Sequence, residues 1–162
     1  MLELTGQVLR LAGIAARPKN YLFAPYKSTM KTITNTFRVK SGETKILDDV
    51  WRFDKPGMIQ KMVVKAVVEE GGKVEMKGKI IIEKDAINTE AYLDQRVMLL
   101  GKGAVGVVAQ PELEIECNQV KASHAASVGP VNPDQLFYLM ARGKSYNEAL
   151  ELLVEAFLND KH

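Results

Sequence analysis

The stretch VMLLGKGAVGVVAQPELEIE, Val97 to Glu116, decides the fold. It holds the short apolar runs VMLL, VGVVA and LEIE, bent apart by Gly101, Gly103 and Pro111. Runs this short, rich in Val and Ile and bounded by Gly and Pro, read as β-strands. Two architectures accommodate them. The strands can pair antiparallel in a sandwich or barrel, or they can be successive sides of a parallel β-helix, each coil stacked on the last. Periodicity leaves both open.

Working upstream, MVVKAVV (Met62 to Val68) and KIIIE (Lys79 to Glu83) continue the pattern, with turns at Gly71 and Gly72 and at Asp85 and Asn88. No helix of useful length fits between them. Alternation from Thr32 to Val39 predicts one more strand. The segment DDVWRFDKPGM, Asp48 to Met58, reads as a loop crossing the edge of the core, with Trp51 and Phe53 as packing anchors.

Downstream, ASHAASVG (Ala122 to Gly129) reads as a turn-like run of small residues that exposes His124. After Gly129 the signals become helical. Asn132 suits an N-cap, Pro133 the first helical position, Gln135 a capping box, and Gly143 a stop. Ser145 and Glu148 repeat the capping logic ahead of Ala149, Leu150, Leu152, Leu153, Ala156 and Phe157. The reading is a helical hairpin, Pro133 to Arg142 and Ser145 to about Leu158, whose apolar positions either all pack within the chain's own core or bury one face on the β region and keep another for a partner. The division expected is a β core over residues 1–128 and a helical segment over 129–162.

The chain has 162 residues, with 46% hydrophobic and 26% charged, which suits one soluble globular domain with a substantial core. A formal charge of +2, from 22 basic and 20 acidic residues, leaves no extended basic surface, so nucleic acid is not an expected partner. The single cysteine closes no intramolecular disulfide and points to a reducing compartment, with the cytoplasm the expected location. The apolar start, MLELTGQVLRLAGIAARPK, carries Glu3 and Arg10 and is not read as an export signal. No stretch is apolar for long enough to predict a membrane span.

Chemistry-bearing residues are few. His124 is the best ligand candidate, since a neutral imidazole is a common metal ligand and small neighbours leave it room. Cys117 is a weaker one, because a lone buried cysteine usually behaves as a small hydrophobe. With no second cysteine, a metal site would borrow ligands from another subunit. Ser127, His124 and Asp134 lack the framing motif of a catalytic triad. The glycine pairs match no phosphate-binding pattern and are turns. Glu148, Glu151 and Glu155 form one helical stripe that solvation explains.

The order of features, GKIIIEKDAINTEAY, then VMLLGKGAVGVVAQPELEIECNQVKASHAASVG, then LFYLMARG and EALELLVEAF, resembles the SufB/SufD family of iron-sulfur cluster assembly proteins. The likeness is continuous from about Lys77 to Phe157 and weaker back to about Ile46. It implies a mainly β fold, a short right-handed parallel β-helix with a C-terminal α-helical hairpin. It implies a scaffold or accessory role in a SufBCD-type system, where the hairpin docks a SufC-type ATPase. This chain has no ATPase motif and is not expected to be an enzyme. A histidine in the SufD-like branch is implicated in cluster assembly at the subunit interface, and it matches His124. The iron-sulfur cluster is thus expected at an interface, transiently.

The sequence departs from the family pattern KCSHGATVG at Ala122 and Ala125, which stand in place of the cysteine and the glycine. The chain is also shorter than usual members, and a short coil with an open edge invites pairing with a SufB-like subunit or with a second copy as a homodimer. Phe137, Arg142 and Phe157 are the expected partner contacts. Two other readings remain: a degenerate interaction module without cluster chemistry, and a β-helical enzyme acting on polysaccharide.

Overall fold

The computed structural model describes residues 29–108 and 112–160. The apolar amino terminus, Pro111 and His162 lie outside the described residues. Among the described residues eight strands precede two helices: β1 Lys31–Val39, β2 Thr44–Phe53, β3 Ile59–Val68, β4 Lys73–Ile82, β5 Thr89–Leu99, β6 Val105–Val108, β7 Glu112–Ile115, β8 Val120–Pro130, α1 Pro133–Ala141 and α2 Tyr146–Asn159. Every pairing among them is parallel. One sheet runs β1-β3-β5-β8 and the other β2-β4-β6, with β7 pairing farther along β4.

A chain that crosses to the opposite sheet and returns parallel, one place along, winds as a coil. The fold is a parallel β-helix, and the antiparallel sandwich is excluded. Each rung brings together side chains far apart in sequence, as in Arg38 with Glu69, Arg52 with Glu83 and Lys121 with Glu90, each pair 31 residues apart.

Inward-facing positions build the core: Met62, Val64, Ala66 and Val68 from β3, Val74, Met76, Ile80 and Ile82 from β4, and Ala91, Leu93 and Val97 from β5. Full burial of each of the larger ones contributes about 1.5–3 kcal/mol. Gly78 faces inward where a Cβ would stand 2.7 Å from Leu93 Cδ2 and 3.3 Å from Trp51 Cζ3, so only hydrogen lets these side chains meet across the coil. At the glycine-rich corner, Gly71 has φ 75° and the Gly42 amide donates to its carbonyl at 3.3 Å, stacking one turn on the next.

Three local readings are corrected by the pairing. Asp48 to Phe53 is not a loop but the second half of β2, and the turn starts only at Asp54. Leu47, Trp51 and Phe53 face inward as anchors, while Asp49 interrupts that parity and hides the alternation. Val97 to Leu99 of VMLL are the end of a longer strand, β5, whose middle is the polar triplet Asp94, Gln95 and Arg96. The small-residue run around His124 is not a turn but part of β8, held along β5 from Thr89↔Val120 to Leu99↔Pro130. Small side chains carry weak strand preference, and the ladder with β5 overrides it.

The helices follow their caps. Asn132 accepts from the amides of Asp134 at 2.9 Å and Gln135 at 3.3 Å, and Ser145 and Glu148 form a complete capping box. Val154, with Leu150, Phe157 and Leu158, packs against Val67, Leu100, Met98 and Val131 on the outer face of the first sheet. Val154, absent from the apolar positions singled out in the sequence, is buried there, whereas Leu152 faces solvent.

Polar groups clamp the same joint. The buried Lys65 donates from Nζ to the carbonyls of Phe157 at 2.9 Å and Asp160 at 2.7 Å, closing the C-terminal end of α2. Arg38 makes a bidentate pair with Glu151. The acidic stripe on α2 is accordingly not only a solvated face, because Glu148 caps the helix and Glu151 ties it to β1. Among the described residues, no helix is long and apolar enough to cross a membrane.

Candidate functional site

His124 lies on the inward parity of β8, in line with Val120 and Ala122, which pack on the core. Its Nε2 is 2.8 Å from Oε1 of Gln95, a β5 residue only 1% exposed. Burial pushes the imidazole below the ordinary histidine value, and the Asp94 charge opposes that shift. The ring is therefore neutral at pH 7, the form that ligates metals.

Among the described residues β8 is the last strand of its sheet, so this end of the coil carries no further rung. Inward-facing side chains around it remain open: Leu113 is 45% exposed, Ile115 43% and Val128 43%. His124 thus sits half-buried at an apolar, uncovered end of the coil. Asp94 and Arg96 face the other way, paired at 3.0 and 2.6 Å on the outer side of the sheet.

Cys117 follows β7 and is buried in the core cluster, the packing role the sequence favoured. Among the described residues, no three His, Cys, Asp or Glu side chains converge on a metal-sized site. His124 and Cys117 are therefore not joined by enough described donors to close a metal site.

The expected partner contacts separate. Phe137 on α1 is 73% exposed, whereas Phe157 is half-buried in the cluster between α2 and the sheet, with Lys65 Nζ 5.6 Å from its ring centroid. Phe157 serves the fold first. The Arg142 guanidinium lies 5.0 Å from the Tyr138 ring centroid, an exposed cation–π contact at the end of α1.

Sequence reasoning missed Tyr138, Met140 and Tyr146, which are exposed, as are Phe137 and Leu152. The run LFYLM carried the signal: five consecutive large apolar residues cannot share one side of a helix. It also missed Gln95, although a glutamine on the apolar parity Ala91, Leu93, Val97 stands out once the strand's direction is known.

Fold and site together define a class: a parallel β-helix with a helical hairpin on one flank and an imidazole at its open end. The chain belongs to the SufBD family, since the family described as SUF system FeS cluster assembly, SufBD core domain, matches residues 50–157. It is 36% identical over 93 residues to the iron-sulfur cluster assembly protein SufD of Escherichia coli, covering 57% of this chain and 22% of that protein. It is 46% identical over 77 residues to SufD of Bacillus subtilis, covering 48% and 17%. It is 32% identical over 96 residues to a SufBD family protein of Archaeoglobus fulgidus, covering 59% and 25%. The chain thus spans about a quarter or less of the length of these relatives.

Proposed function

We propose that this chain is a SufD-like scaffold subunit that handles an iron-sulfur cluster as cargo at an interface and docks a SufC-type ATPase through α1 and α2. His124 donates one ligand. The remaining donors come from a SufB-like subunit or from a second copy, seated on the open end of the coil around Leu113, Ile115 and Val128. A neutral imidazole with apolar surroundings suits such a shared site, because the described residues bring too few donors together to close one.

The observation that carries the docking reading is that α1 buries none of its residues and turns Phe137, Tyr138 and Met140 to solvent. Exposed aromatic clusters of this kind supply the anchors of protein interfaces. The test is the affinity of the full chain for an immobilised SufC-type ATPase. Phe137→Ala with Tyr138→Ala is expected to weaken it by about 30-fold, the effect of losing roughly 2 kcal/mol at an interface anchor. Unchanged affinity rejects the docking. Anaerobic reconstitution with iron and sulfide tests the cargo, with less iron retained by His124→Ala than by the wild type; equal retention favours an interaction module without cluster chemistry.

A further inference from the structure

We infer that Gln95 sets the tautomer of His124, holding the ring proton on Nε2 so that Nδ1 carries the lone pair offered to a metal. The inference rests on the reading of His124 as a cluster donor and deepens it. An amide oxygen has no hydrogen to give, so in the 2.8 Å bond between Gln95 Oε1 and His124 Nε2 the imidazole donates. A neutral ring protonated at Nε2 keeps its lone pair on Nδ1.

The surroundings of Gln95 hold it in place. It is 1% exposed on an otherwise apolar parity, and its Nε2, with Leu93 Cδ2 and Trp51 Cζ3, lines the space beside Gly78 at 3.3 Å from where a Cβ would be. A buried amide destabilises the core unless it is hydrogen-bonded, and leucine or methionine would fill the volume at no such cost. The glutamine is accounted for by what it does to the ring above it. Histidines that bind metals generally donate their second ring N–H to an oxygen, and losing that partner weakens metal binding by about 10–100-fold. Gln95 is therefore a positioning residue, acting through His124.

The test uses the full chain with 15N-labelled histidine, His124→Ala identifying the signals. Long-range 1H–15N spectra are expected to place the proton on Nε2, slow to exchange, in the wild type and in Gln95→Glu, which keeps an acceptor oxygen. Gln95→Met keeps the volume and should lose the protection. Co2+ alone is then titrated while the His124 ring signals are followed, with binding weakened about 10–100-fold in Gln95→Met and restored in Gln95→Glu. A wild-type proton on Nδ1, or the same protected Nε2–H in Gln95→Met, overturns the assignment. Co2+ that leaves the wild-type ring untouched overturns the donor role of Nδ1, and the proton result then shows that the donor reading, not the Gln95 bond, has failed.

Discussion

Arg38 on β1 and Glu151 on α2 form a bidentate ion pair at 2.9 and 2.8 Å, and the same guanidinium reaches Glu69 at 2.7 Å. One arginine thus ties the helical hairpin to the outer face of the coil across 113 residues of sequence. The side chains stay 35% and 50% exposed, so solvent screens the pair. Arg38→Ala should cost no more than about 1 kcal/mol in urea denaturation, with the difference from wild type shrinking at high salt. A loss that persists in 1 M salt would show that Arg38 acts by packing instead.

Acid should loosen the hairpin before the coil. The Glu151 carboxyl is held below its ordinary range by the hydrogen bonds and charge of Arg38, and Glu148 by the Ser145 amide and hydroxyl. A carboxyl depressed in the folded state adds stability above the unfolded glutamate value, and that stability is lost as pH falls through the folded value. Protection of the α2 amides, corrected for the slower intrinsic exchange in acid, should therefore fall on acidification below about pH 4.3, the ordinary glutamate value. Exchange in β3 and β5 should lag behind. Glu148→Gln with Glu151→Gln should flatten the acid response of α2; an unchanged response would assign it to other groups.

Lys65 closes the C-terminal end of α2 from beneath. Its ammonium donates to two carbonyls in a fully buried setting, where desolvation lowers its pKa and Asp160 opposes the shift. Lys65→Met keeps the aliphatic stem and strands both carbonyls. The expected loss is about 2–3 kcal/mol of unfolding free energy, measured by urea denaturation, together with faster amide exchange at the end of α2. A change below about 0.5 kcal/mol would mean that water replaces the ammonium.

Two glycines should respond in opposite ways. A Cβ on Gly78 meets Leu93 at 2.7 Å, whereas a Cβ on Gly129 meets nothing within 4 Å. Gly78→Ala should lower stability by about 1–3 kcal/mol through overpacking, while Gly129→Ala should change it little. Similar urea midpoints for the two variants would show that Trp51 and Leu93 move aside freely.

Much of the strand rhythm could be read locally, because β3 and β4 combine Val- and Ile-rich runs with Gly punctuation. β2, β5 and β8 were harder. In each, polar or small residues (Asp49, the triplet Asp94 to Arg96, and Ala122 to Ala126) interrupt the local signal, and the ladder to the neighbouring rung supplies the order instead. The candidate site divides the same way. His124 was recognisable as a ligand type, but its partner Gln95 lies 29 residues away, and no local window holds both.

By itself, the sequence determined the helix caps at Asn132 and Ser145, the short strands around Gly71 and Gly101, and the family likeness. These depend on residues close together along the chain. The tertiary structure alone decided that the strands pair in parallel, that Phe157 turns inward while Phe137 faces solvent, and that His124 stands over a buried amide. The physical reason is that in a coil each residue's neighbours lie one full rung away, so which face is buried is settled only when the rungs stack.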